Sequence, residues 1–192
     1  SSAVISGVST VLFDDAALTV RANELDLSNA TEIAQRQPLR VILDTDARLP
    51  IEARLFTQTG PILLVVSAVA VVSVEISQLP NVTVFRLPLD MTERSLDPVL
   101  AELSRLGCNE VLVEAGALLA GSFIQENCWD ELIVYMAPKL MGSSARPLAN
   151  LPMEYMSEAK SLQLKDMRVV GDDIRLTYHQ GYSNLTGASS TE

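Results

Sequence analysis

Val111-Leu-Val-Glu-Ala-Gly-Ala-Leu-Leu-Ala-Gly-Ser122 and Trp129-Asp-Glu-Leu-Ile-Val-Tyr-Met-Ala-Pro-Lys-Leu-Met-Gly142 read together as strand, tight glycine turn, helix and second strand. The first strand is apolar and Val-rich, as a pleated buried segment requires. Glu114 closes it. Gly116 then opens a helix, and the first backbone N–H groups of a helix have no acceptor within it, which makes them a natural anion site. One turn therefore offers an acid and a phosphate cradle side by side.

Short apolar runs of strand length recur on both sides of this unit: Ala3 to Ile5, Leu39 to Leu43, Ile62 to Val66, Val82 to Phe85, Glu110 to Val113 and Glu131 to Met136. Helical patterns separate the later ones. Leu96, Val99, Leu100, Leu103 and Leu106 recur at spacings of three and four, which puts them on one helix face, and Gly116 to Asn127 reads likewise. Leu25 to Gln37 is a polar excursion with room for a short helix. Alternation of this kind predicts an α/β fold: a central, mostly parallel sheet with helices on both faces and ligands at the C-terminal strand ends. Further on, Leu162 to Val169 and Ile174 to His179 flank the turn signal Gly171-Asp172-Asp173, which predicts a C-terminal antiparallel hairpin on the sheet edge. Residues 1–179 form the expected domain. From 180 to 192 the chain is small and polar and reads as a disordered tail, in which the sequon at Asn184 is a chance match.

Composition narrows the function. The 192 residues are 48% hydrophobic, enough for a substantial core, and the net charge of -10 disfavours nucleic acid and anionic membranes as partners. The apolar run Ile62 to Val74 is too short for a membrane span, which needs about 20 residues. No secretory signal opens the chain, so a cytoplasmic protein is expected. Cys108 and Cys128 belong to no CxxC pair and read as reduced thiols, while His179 is the sole histidine. A histidine triad or a multi-histidine metal site cannot be assembled within one subunit, and no metal site is expected. So thin a set of reactive side chains favours a cofactor that carries the reaction. If the ligands are phosphorylated, Arg21, Arg40 and Lys139 are the cations to inspect.

Four stretches in order, Thr10-Val-Leu-Phe-Asp-Asp-Ala-Ala-Leu-Thr-Val-Arg21, Gln37-Pro-Leu-Arg-Val-Ile-Leu-Asp-Thr45, Val113-Glu-Ala-Gly116 and Asp130 to Gly142, give the chain its family likeness. It resembles the reductase domain of the bacterial bifunctional riboflavin-biosynthesis deaminase-reductase, which has a dihydrofolate-reductase-like fold. The resemblance implies NADPH-dependent reduction of 5-amino-6-(5-phosphoribosylamino)uracil to its ribitylamino form, a homodimer, and a parent chain that also carries a deaminase domain and an earlier strand and helix of the reductase. The related reductase acting on the 2,5-diaminopyrimidine, and a non-catalytic dimerisation module of the same fold, are the alternatives.

Carried over position by position, the resemblance implies that Thr10, Asp14 and Thr45 contact NADPH, as does the loop and helix start Gly116, Ala117, Leu118, Leu119, Ala120, Gly121 and Ser122. Leu18, Arg21 and Glu114 correspond to substrate contacts. Physical chemistry agrees with two of these, since a guanidinium suits a ribose phosphate and a threonine hydroxyl can donate to a cofactor phosphate. Many relatives have Gly-Gly where this chain has Ala115-Gly116. Asp15 reads equally as a structural cap, Leu119 and Phe123 as core, and Trp129 and Tyr135 as packing or subunit-interface residues. No side chain is assigned as proton donor.

Overall fold

The computed structural model describes residues 2–89 and 95–181. The chain divides into two compact units, one running up to Ser122 together with Leu148–Asn150, the other comprising Phe123–Pro147 and the chain from Leu151 onward.

The first unit alternates strands and helices: β1 (Ala3–Gly7), α1 (Val8–Asp14), α2 (Ala30–Gln35), β2 (Leu39–Leu43), α3 (Arg54–Thr57), β3 (Ile62–Val66), α4 (Val74–Ser77), β4 (Val82–Arg86), α5 (Asp97–Arg105), β5 (Val111–Val113) and the start of α6 (Ala117–Gln125). The five strands are parallel, in the order β4-β3-β2-β1-β5. All five residues of β3 are buried, as an uninterrupted apolar strand covered on both faces should be. Ile62, Leu64 and Val66 join Ile42 in a cluster with Val8 and Val11 of α1, Leu55 and Phe56 of α3, and Ile76 of α4. Val41, Leu63 and Val65 point to the opposite face and are no more than 1% exposed. From β1 to β4 the chain steps one way across the sheet, then returns past β1 to β5. Right-handed crossovers therefore place α5 on the face opposite α1, α3 and α4. Of the face expected for α5, Leu96, Val99 and Leu103 are buried, whereas Leu106, just past the helix end, is 44% exposed.

Two local features follow. Val8–Asp14 is a helix, so Asp14 ends α1, and Asp15 caps it in the left-handed region at φ 46°. After β3, residues 67–73 form a loop, and α4 starts at Val74. Among the described residues no helix is long and apolar enough to cross a membrane.

The second unit holds an antiparallel sheet of its own, in the order β6-β8-β7, from β6 (Glu131–Met136), β7 (Leu162–Val170) and β8 (Asp173–Gln180). The predicted hairpin forms, turning at Gly171 with φ 61°. It does not extend the parallel sheet. Two strands alone are marginal in water, and here β6 supplies the third by pairing with β8. The pairing register places Leu132, Val134 and Met136 on one face with Ile174, Leu176 and Tyr178 and with Leu164, Met167 and Val169. Met167 and Val169 on β7 are 64% and 76% exposed. The other face carries Glu131, Tyr135, Arg175 and His179, with His179 Nε2 3.4 Å from Glu131. Gln180 closes β8, and the rest of the expected tail, residues 182–192 with Asn184, lies outside the described residues.

Candidate functional site

Reversal of strand order at β1 and β5 creates a switch point, and in open parallel sheets ligands bind outside the carboxyl ends of the strands there. Register aligns Ile5 with Val113 and Gly7 with Leu43. Thr10 follows Gly7 by three residues, Gly116 follows Val113 by three, and Thr45 follows Leu43 by two. All three thus leave the sheet at its C-terminal edge.

Glu114 is fixed there by its backbone. Its N–H donates to the Ile5 carbonyl at 2.9 Å, and its own carbonyl accepts from Ser6 Oγ at 2.7 Å. The carboxylate is exposed. Gly116 is exposed too, with nothing within 4 Å of where a Cβ would lie, so a ligand can approach the backbone at the start of α6. A Cβ on Gly7 would sit 3.9 Å from Leu119 Cδ2, which places the first turn of α6 against the end of β1. Ala117, Leu119, Ala120 and Ser122 are half-buried, and Leu118 is 72% exposed. Gly121 has a structural reason to be glycine: a Cβ would lie 2.2 Å from the Asn150 carbonyl oxygen, because that segment crosses α6 and donates its N–H to the Ala117 carbonyl at 2.8 Å.

Thr45 belongs to a loop organised by a residue that the sequence reading did not single out. Asp44 is fully buried, and its carboxylate accepts the backbone N–H groups of Arg48 and Leu49, both at 2.9 Å. This acid at the end of β2 is turned inward. Arg48, on the same loop, is half exposed and lies 3.9 Å from both Asp44 and Asp46. An arginine three residues beyond a hydroxyl at a strand end is a signal the sequence did contain.

Leu18 and Arg21 are placed differently. α1 carries the chain back along the sheet by about 10 Å, at 1.5 Å per residue. The loop beyond is then tied down near the N-terminal edge: both backbone groups of Val20 pair with the Gln37 side chain at 2.9 Å, and Asp15 Oδ1 accepts the Arg54 N–H at 2.9 Å. Leu18 sits in the left-handed region at φ 53°, uncommon for a bulky residue and a mark of constraint by its surroundings. Arg21 is exposed and paired with Glu24. The expected site residues thus form one group at the C-terminal edge (Thr10, Thr45, Glu114, Gly116 and the α6 start) and a second, Leu18 with Arg21, at the far end of α1. Exposed Asp14 stands between them.

Of the other cations, Arg40 is not available to a ligand. It is 0% exposed, and its guanidinium donates to the carbonyls of Ala17, Leu55, Gln58 and Gly60 at 3.3, 3.0, 3.4 and 2.6 Å. Burial pushes its pKa below the usual arginine value. Arg40 clasps the Ala17 loop, helix α3 and the loop that follows α3. Lys139 is exposed and belongs to the second unit.

A parallel sheet with an acid and a helix start at its switch point defines an open α/β domain of the class that binds ligands at its carboxyl strand ends. Residues 1–176 match the RibD C-terminal domain, and the chain belongs to that family. It is 38% identical to the riboflavin biosynthesis protein RibD of Haemophilus influenzae over 93% of this chain and 47% of that one. A 5-amino-6-(5-phosphoribosylamino)uracil reductase from Buchnera aphidicola is 31% identical over 92% of this chain and 85% of its own length. Among solved structures, Acinetobacter baumannii RibD superposes with a TM-score of 0.80 at 35% identity, over 94% of this chain and 47% of that one. The chain therefore spans about half the length of the RibD relatives it matches.

Proposed function

We propose that the chain is the reductase part of a riboflavin-biosynthesis protein, reducing 5-amino-6-(5-phosphoribosylamino)uracil to its ribitylamino form with NADPH. The family match over residues 1–176 carries this reading. The geometry fits the cofactor: the α6 start is open beside Gly116, and Thr45 and Arg48 share one loop at the same sheet edge. The bound nicotinamide would supply the hydride. The protein's part is to hold two ligands in reacting geometry and to keep water out.

In this reading the first N–H groups of α6 hold the pyrophosphate, with Thr10 and Asp14 completing the cofactor contacts. Thr45 and Arg48 hold the 2′-phosphate. Asp44 cannot compete for the ribose hydroxyls, because its carboxylate is already committed to Arg48 and Leu49. Glu114 accepts a hydrogen bond from the sugar or ring of the substrate. By the family resemblance Leu18 and Arg21 receive the phosphorylated end, which requires the substrate to extend from Glu114 along α1 by about 10 Å, at 1.5 Å per helical residue, Arg21 exchanging Glu24 for the phosphate. The exposed apolar face of the β6-β8-β7 sheet supports a homodimer, with a second copy of this chain covering Met167 and Val169. The parent chain carries a deaminase domain as well, and works in the cytoplasm.

Turnover with purified protein, NADPH and the aminouracil ribosyl phosphate tests the reading; absence of both NADPH binding and turnover would refute it. A second substrate is favoured by one relative. The 2,5-diamino-6-ribosylamino-4(3H)-pyrimidinone 5′-phosphate reductase of Archaeoglobus fulgidus is 30% identical over 92% of this chain and 78% of its own. Faster turnover of the diaminopyrimidine than of the aminouracil would reassign the substrate and leave the fold and cofactor reading intact.

A further inference from the structure

The polar face of the β6-β8-β7 sheet holds cations that the substrate and cofactor readings leave unused. Tyr135 on β6, Arg175 on β8 and Arg168 on β7 stand opposite one another in a single row across the three strands, and Ile133, Thr177 and Asp166 form the next row. Residues directly opposite in an antiparallel ladder have Cβ atoms about 4.5–5.5 Å apart, where like charges destabilise the pairing. The chain has 24 acidic residues against 14 basic ones, yet this row sets one arginine against another.

A single carboxylate serves both. Asp166 Oδ2 accepts from Arg168 Nε at 2.6 Å and lies 2.6 Å from its Nη2, so that edge of the guanidinium is taken and Nη1 is left over. Arg175 Nη1 is 3.9 Å from the same oxygen, too far for a hydrogen bond. Arg40 and Arg86, by contrast, each donate to three or more carbonyls. The Arg175 side chain is only 21% exposed, and among the described residues its N–H groups meet no acceptor within hydrogen-bond distance. Thr177, next to it on the same face, is 6% exposed, and its Oγ1 also lacks a partner. The Arg168 pKa is raised chiefly by the hydrogen bond and charge of Asp166 and further by Tyr135, which brings that phenol within electrostatic reach of both arginines.

We propose that this face binds a phosphate group, held between Arg175 and Arg168 with the Tyr135 hydroxyl as a further donor. A guanidinium offers N–H groups in a planar fork that fits two phosphate oxygens. Arg175 takes two, and Arg168 Nη1 with Tyr135 reaches the third. A carboxylate, with two oxygens, would leave part of this donor set unused. The bound anion also relieves the repulsion within the arginine pair. No residue assigned to substrate or cofactor lies on these three strands, so the proposal does not depend on the NADPH reading. Free phosphate and the phosphate of a small sugar ester share this chemistry.

NMR of the arginine Nε–H groups in the whole chain follows the site, at constant ionic strength because salt screens exposed charges. The probes are inorganic phosphate and ribose 5-phosphate, with acetate as the carboxylate control. In the wild type, phosphate should shift the Arg168 and Arg175 signals saturably. Arg175→Gln and Arg168→Gln should each weaken that affinity at least about tenfold, the factor carried by one hydrogen bond to a charged group. The Arg168 side chain is exposed, so Arg168→Gln carries the test if Arg175→Gln fails to fold. Tighter binding of ribose 5-phosphate than of inorganic phosphate supports a sugar ester as the occupant, and equal binding supports the free anion. Absence of a saturable shift at either arginine, unchanged affinity in Arg168→Gln, or acetate binding as tightly as phosphate would overturn the proposal. Shifts confined to Arg21 would overturn it too, and would leave the substrate reading standing.

Discussion

Replacing Asp44 by asparagine tests how the β2 end is built, because it keeps size and shape and alters only charge and donor pattern. In the native loop both carboxylate oxygens accept, Oδ1 from Arg48 N–H and Oδ2 from Leu49 N–H, each at 2.9 Å, and the residue has no exposed surface. Asparagine offers one oxygen, so its NH₂ must face a backbone N–H. Loss of a hydrogen bond to a charged group costs about 1.5–3 kcal/mol, and a buried N–H left unpaired about 1–3 kcal/mol. The two describe overlapping parts of one event and do not simply add. We expect Asp44→Asn to destabilise the protein by about 2–4 kcal/mol, which at a urea slope of about 1–3 kcal/mol per molar shifts the unfolding midpoint by roughly 0.7–4 M. The local readout is amide hydrogen exchange: Arg48 and Leu49 should lose protection, and NADPH affinity should fall as Thr45 and Arg48 lose their fixed placement. A variant within about 0.5 kcal/mol of wild type, with both amides still protected, would refute the claim that this carboxylate organises the loop.

Arg21→Ala in the intact protein should raise the substrate KM at least about tenfold, through loss of about 1.5–3 kcal/mol of charged hydrogen bonding, and leave NADPH affinity nearly unchanged; the opposite pattern would remove Arg21 from the substrate phosphate. Thr45→Val should narrow the preference for NADPH over NADH by roughly tenfold, from the same range of energies, and equal binding of both nucleotides by the wild type would count against a 2′-phosphate site at this loop. Gly121→Ala drives a methyl to 2.2 Å from the Asn150 carbonyl oxygen, a backbone atom that cannot rotate away, so a loss of about 1–3 kcal/mol is expected from overpacking; unaltered urea unfolding would contradict the close crossing of α6. Met167→Lys/Val169→Lys, at positions 64% and 76% exposed in the single chain, should turn a dimer into a monomer in sedimentation equilibrium without loss of helix content, and an unshifted mass would place any dimer contact elsewhere.

Much of the architecture was readable because it rests on local periodicity. β2, β3 and β6 lie at the residues where apolar runs of strand length mark them, and the face of α5 follows spacings of three and four. Glu114 and Gly116 announce a turn by strand end and glycine alone. α1 was hidden since its only apolar periodicity, Val8 and Val11 with Leu12, merges with the preceding strand. No local pattern could tell Arg40 from Arg21. Both follow short apolar or turn segments, yet one is sealed among four carbonyls and the other stands in solvent beside Glu24.

The sequence by itself determined the alternation of strands and helices, the acidic charge, the absence of a multi-histidine centre and the pairing of an acid with a helix start, because each depends on residues adjacent along the chain. Only the tertiary structure decided that the hairpin joins β6 in a separate sheet, that Asp44 turns inward while Arg48 faces solvent, and that Thr10, Thr45 and Gly116 leave the parallel sheet on one edge. Those outcomes depend on strand order and register, which are set by burial across the whole unit and by which backbone groups remain to be paired.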